Sequence, residues 1–285
     1  DILSQLIRTT FIPKKNHRFI IADFSAIEAR IIAYLSDEKW RIDVFNTHGK
    51  IYEASASKMF KVDINEITKE SELRQKGKIA ELALGYQGGV KALVSMGAYN
   101  MNLCESELIE IVRAFRSSNT NIVKLWNTVE KAFIEAVNNK SIVHIDKNIS
   151  FIYEGNILFI KLPSGRRLSY IRPKIDYNNA FNKSVITYEG VDSTTKKNTR
   201  LTTYGGKLVE NIVQAIARDV LGEAMMNLRN KGFNIVMHVH DEIVLEVENG
   251  VSSVEEVVEI MCKENRYLKG LKLRADGFES NYYKK

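Results

Sequence analysis

NIVMHVHDEIVLEVE, residues 234–248, sets two runs rich in β-branched residues on either side of His240, Asp241 and Glu242. Such a pattern reads as two strands of an antiparallel hairpin with a polar tip, projecting two adjacent carboxylates beyond the buried strands. An aspartate at a turn is ordinary turn chemistry, so this tip gains meaning only from a second carboxylate. RFIIADF, residues 18–24, supplies one, because Asp23 also closes an apolar strand. If the two strands are neighbours, Asp23 leaves the sheet beside Asp241. Two aspartates on adjacent strand ends can bind a pair of metal ions.

Outward from these strands the periodicity changes. After Asp23, Ile27, Ile31, Ile32 and Leu35 share one side of a helix. Residues 40 to 140 are mostly helical in period, with stops near His48-Gly49, Gly88-Gly89 and Ser117-Ser118-Asn119. From Ile142 to about Thr203, short β-like runs (FIYEG, ILFIKL, RRLSYI, SVITYEG) alternate with Gly, Asn and Asp, and a helix returns over 207 to 230. The fold class is α/β (α+β), an antiparallel sheet with a helical block and a β-rich insertion. The divisions are 1–38, 39–141, 142–200 and 201–285.

The chain has 285 residues, 45% of them hydrophobic, enough for one large or two modest cores. No window offers the roughly 18 uninterrupted apolar residues of a membrane span, and no leader pattern opens the chain, so the cytoplasm is expected. Cys104 and Cys262 lack metal-ligand spacing and read as buried free thiols. The net charge of +6 is uneven. Between Lys161 and Lys207, ten basic residues, Arg166 and Arg167 among them, stand against Asp176, Glu189 and Asp192, interleaved with Tyr170, Tyr177, Phe181, Tyr188 and Tyr204. The segment suits a phosphate backbone; a solvated basic loop is the alternative.

A third element is LRQKGKIAELALGYQGG, a helical segment placing Arg74 and Lys78 on one face with Tyr86 two turns on. Two rigid cations suit triphosphate oxygens as charge develops on a leaving pyrophosphate; a basic stripe on a surface helix is the alternative. Nucleotidyl transfer also needs an activated 3′-hydroxyl and a stabilised pentavalent phosphate. Magnesium takes one or two carboxylates plus substrate phosphates, so Asp23, Asp241 and the backbone carbonyl of Phe24 would suffice without a histidine or cysteine cage.

Together these stretches resemble family A, DNA polymerase I-like enzymes, over nearly the whole chain. ADFSAIEARIIAYLS resembles motif A, RQKGKIAELALGYQGG motif B, and HVHDE motif C, in the family's order and spacing. The resemblance implies a polymerase palm (1–38 and 201–285), helical fingers, two Mg²⁺ ions, primer-template DNA and dNTP. It implies metal binding by Asp23 and Asp241, an acidic neighbour in Glu242, and exclusion of a ribose 2′-hydroxyl by Glu28. Arg74 and Lys78 match triphosphate ligands, with Lys78 as general acid, and Tyr86 matches an aromatic at the fingers' hinge. Gln214 and His240 match contacts to the primer terminus and minor groove; Arg8 and Arg30 match basic residues flanking motif A.

The wording departs from the family at Leu82, where many members carry Phe or Tyr, and at Tyr52, which replaces a histidine. Glu210 and Ala215 replace the asparagine and glycine around Gln214. These changes look most like the phage and prophage branch, acting in a bacterial host cell. Only 22 residues precede Asp23, so the expectation is a fragment whose thumb and exonuclease regions lie elsewhere in the polypeptide, with the basic segment, including Arg166 and Arg167, holding DNA. Three competing readings remain: a catalytically weak DNA-binding fragment, a single-subunit RNA polymerase, and a metal-dependent nuclease.

Overall fold

The computed structural model describes residues 2–101, 103–178 and 183–284. Phe181 lies outside the described residues. The chain opens with α1 (Ile2–Thr9), β1 (His17–Phe24) and α2 (Ile27–Ser36). Six helices follow: α3 (Lys39–Asn46), α4 (Ile51–Phe60), α5 (Glu72–Leu84), α6 (Val90–Ser95), α7 (Glu105–Ser118) and α8 (Thr120–Asn139). Strands β2 (Ile142–Ile145), β3 (Ile149–Glu154), β4 (Ile157–Lys161), β5 (Arg167–Asn178), β6 (Lys183–Val191) and β7 (Asn198–Thr203) come next. The chain ends with α9 (Gly205–Asn230), β8 (Asn234–Val239), β9 (Glu242–Glu248), α10 (Val254–Met261) and β10 (Ala275–Ser280). Two compact units result, one of residues 1–30 and 217–285, the other of residues 31–216.

In the first unit, four antiparallel strands lie in the order β10-β1-β9-β8. The run that read as apolar is central: β9 is buried from Glu242 to Val247. Phe19 and Ile21 share a face with Val244, and Tyr283 packs onto them with Met237 and Val239. Side chains alternate along a strand, so Asp23 continues the face of Phe19 and Ile21 to the strand's end. Lys14 locks the near end, where its amide and ammonium both reach Glu246 at 3.0 Å and hold that carboxyl below its usual range.

In the second unit the helices pack through small residues. A Cβ on Gly77 would sit 2.3 Å from the carbonyl oxygen of Tyr52, so α5 approaches α4 closely only because position 77 has no side chain. On another side of α5, buried Arg41 binds both oxygens of Glu81 and, at 2.9 Å, the side-chain oxygen of Asn119. Removing one partner from such a buried pair costs roughly 3–5 kcal/mol, so this bond pins the helix in place.

The six strands β2 to β7 form one antiparallel sheet in sequence order. Its core side meets α8 through edge-on contacts of Phe133 with Phe151 and Tyr170, and Tyr170 stacks edge-on with Tyr188. The start of α9 packs against α8 and the turn after α5. A Cβ on Gly206 would lie 2.4 Å from the Tyr86 carbonyl, while the Gly205 and Gly206 amides donate to Glu130 and Gln87.

Two expectations need correction. Cys104 is exposed and caps α7, its amide donating to Glu107 at 2.9 Å; Cys262 is half-buried, and both thiols are free. Tyr86 is not on the α5 helix, which ends at Leu84; it stands in the turn beyond Gly85. Among the described residues, no helix is long and apolar enough to cross a membrane.

Candidate active-site residues

The first unit holds the carboxylates. β1 pairs with β9 so that Asp23 lies directly opposite Glu242, and the Phe24 amide donates to the Asp241 carbonyl at 3.4 Å. Asp23 and Asp241 therefore reach the same end of neighbouring strands. On the other side of β1, Asp276 of β10 faces Asp23 and accepts from the Ser25 hydroxyl at 2.7 Å. Like charges directly opposite one another repel, so this sheet end is acidic by construction and favours a cation. Asp276 escaped the sequence reading because nothing local in ADGFES marks its strand as the partner of β1.

Glu242 differs from its expected placement. It does not project from the tip: the turn is His240 and Asp241 alone, with His240 at φ 53°, and Glu242 begins β9 at 2% exposure. The Tyr283 hydroxyl donates to its Oε1 at 2.8 Å. Burial and then Glu242 push the Tyr283 hydroxyl up to about 12, with the Arg8 guanidinium opposing and Asp23 adding. Arg8 thus lies within electrostatic reach of this cluster while its own side chain is exposed. His240 is exposed, and Glu28 is partly exposed in the first turn of α2. Arg30 is structural: it is buried, donating to the Ser25 carbonyl at 2.8 Å and the Lys272 carbonyl at 2.7 Å. Burial first, then Arg274, lowers its pKa to about 10.

The donor set fits a hard divalent ion. Asp23, Asp241 and the Phe24 carbonyl offer oxygen only, and magnesium needs few protein ligands when substrate phosphates complete its shell. Among the described residues, no group of three or more His, Cys, Asp and Glu side chains is arranged to hold a metal.

The second unit holds the cations. Arg74, Lys78 and Leu82 follow one another at four-residue spacing on α5, opposite buried Gly77, Ala80, Ala83 and Leu84. Lys78 is exposed and Leu82 is 51% exposed. Arg74 donates from Nε to Glu53 Oε1 at 2.7 Å, and its guanidinium lies 5.5 Å from the Tyr52 ring centroid. Burial, then the Glu81 charge, pushes the Tyr52 hydroxyl up. Glu53 was missed by the sequence reading; its one signal is its place beside the altered Tyr52. Gln214 is exposed on α9. Arg166 donates from Nη2 to the Ala215 carbonyl at 2.7 Å, next to Gln214 in the chain. Arg167 lies 3.6 Å from Glu154 and over the Phe159 ring.

The family model described as DNA polymerase family A matches residues 2–277. A DNA polymerase of Bacillus phage SP02 is 56% identical over 284 residues, covering 100% of this chain and 44% of the relative. DNA polymerase I of Borreliella burgdorferi is 27% identical over 97% of this chain and 26% of its own length. The chain therefore spans less than half the length of these relatives. Among solved structures, the POL domain of Pol1 from M. smegmatis, in complex with DNA primer-template and dNTP, has the same fold. It matches with a TM-score of 0.64 at 21% identity, over 98% of this chain and 42% of that one. On the extent of the family match and the phage relative, this chain belongs to DNA polymerase family A.

Proposed function

We propose that this chain is the palm and fingers core of a template-directed DNA polymerase, adding dNMP to a primer 3′-end. The observation that carries the proposal is the pairing of β1 with β9, which brings Asp23 and Asp241 to one end of the sheet. These two carboxylates, with the Phe24 carbonyl, would hold divalent magnesium. When bound, the metal supplies Lewis-acid activation of the hydroxyl and charge neutralisation at the phosphate. Arg74 and Lys78 bind the triphosphate, and Lys78 gives a proton to the departing pyrophosphate. Glu28 crowds a ribose 2′-hydroxyl. Tyr86 and Leu82 border the incoming nucleotide. Gln214, His240 and Arg8 contact the primer-template, as do Arg166 and Arg167 to the extent that their protein partners leave them free to turn. The likeness to a phage enzyme supports a phage or prophage origin and action in the host cytoplasm.

Primer extension with Mg²⁺ tests the reading. Asp23→Asn and Asp241→Asn are each expected to slow extension on the order of 100-fold or more while thermal unfolding stays cooperative. Glu28→Ala should admit rNTPs that the parent chain rejects. Undiminished extension by the Asp241 variant would rule the assignment out.

A further inference from the structure

Arg74 is already engaged on the protein side. It joins α5 to α4 through its Nε bond to Glu53, and both side chains are largely sheltered, at 19% and 13% exposure. The bond uses Nε alone, and the Tyr52 ring supports the guanidinium from the same helix as Glu53. Gly77, one turn along α5, sets the close spacing that lets both residues reach Arg74.

We propose that Glu53 and Tyr52 form a clamp that positions Arg74 for the dNTP triphosphate, with Glu53 as the positioning residue. The inference rests on the reading of Arg74 as a triphosphate ligand. An unrestrained arginine loses considerable side-chain freedom when it grips a phosphate. Here that ordering is complete before substrate arrives, and Nη1 and Nη2 are left as the fork that meets phosphate oxygens. Glu53 also carries a negative charge, which repels a triphosphate. The cation lies between the two anions, so each is closer to the guanidinium than to the other, and net attraction results.

The test measures KM for dNTP and kcat in primer extension, together with the Arg74 Nε–Hε resonance in ¹⁵N-labelled protein. Glu53→Ala is expected to raise KM roughly three- to tenfold, with a smaller change in kcat, and to abolish the slowly exchanging Nε–Hε signal. Glu53→Gln offers an amide oxygen to the same donor and should restore most of both. Because Glu53 acts through Arg74, the Glu53→Ala, Arg74→Ala double variant should be no worse than Arg74→Ala alone. A wild-type KM in Glu53→Ala alongside a raised KM in Arg74→Ala overturns the clamp and leaves the triphosphate reading intact. An unchanged KM in Arg74→Ala removes that reading and the clamp's purpose with it. A KM in Glu53→Gln below wild type overturns the proposal in the other direction, making Glu53 a competitor of the triphosphate.

Discussion

Asp241 and Glu242 are chain neighbours with opposite circumstances, one in a turn and partly exposed, the other buried under Tyr283. The boundary between turn and strand falls between them, and a sequence pattern resolves such boundaries poorly. That single step decides which carboxylate is available to a metal and which is held by protein. Tyr283→Phe keeps the ring among Phe19, Ile21 and Val244 but removes the donor to a buried carboxylate. It should lower unfolding free energy by about 1–3 kcal/mol, read from urea denaturation. Tyr282→Phe, at an exposed ring, should stay within about 0.5 kcal/mol; equal effects from both would show that the Glu242 bond contributes nothing. Pairings such as Tyr283 with Glu242 are set by tertiary approach and leave no mark in the local pattern.

Among the elements, the β-rich insertion carries a pH signature. Tyr170 is buried between Phe133 and Tyr188, and its hydroxyl accepts from Asn211 at 2.9 Å. Burial pushes its pKa up to about 12, the Asn211 bond opposing and Tyr188 adding. A pKa raised above the unfolded value of about 10 means that the folded state keeps its proton longer. The associated stability is full below about pH 10 and disappears as pH climbs toward 12. Thermal melts should therefore fall across that interval, and Tyr170→Phe should flatten the fall; an unaltered slope would count against the assignment. The strands and helices themselves were legible because their periods are strong: the alternation over 142–203 and the spacing of Ile27, Ile31, Ile32 and Leu35 both have physical counterparts in buried faces. Tyr86 was misplaced because a helical period continues arithmetically past Leu84, whereas the backbone turns beyond Gly85, whose carbonyl accepts from the Trp126 indole at 3.0 Å. The burial of Arg30 was not legible in the sequence, because burial of a charge is invisible until its carbonyl partners are in place.

For the molecule as a whole, the positive excess is less available than composition suggested. Arg172 and Arg200 share Glu189 at 2.9 and 3.3 Å, Lys207 meets Glu210 at 2.9 Å, and Arg167 meets Glu154. Fluorescence anisotropy of a labelled primer-template between roughly 50 and 200 mM salt should separate paired from unpaired charge. Lys174→Gln, at an exposed site, is expected to reduce the slope of log K against log salt by about 0.9, and Arg172→Gln by clearly less. A full unit lost in both would mean that DNA displaces Glu189. The first unit's construction from both ends of the chain also governs how the protein comes into being. Lys14 waits for Glu246, 232 positions later, and β1 finds its two neighbours only in β9 and β10. At roughly 5–20 residues per second of synthesis, HRFIIADF spends on the order of 10–50 s outside the ribosome with both edges unpaired. Until β9 emerges, its unpaired edges are a template for association with other chains. A ribosome that stalls short of that strand releases a chain in which β1 has never met β9, so an unfinished product lacks the sheet end that Asp23 and Asp241 share.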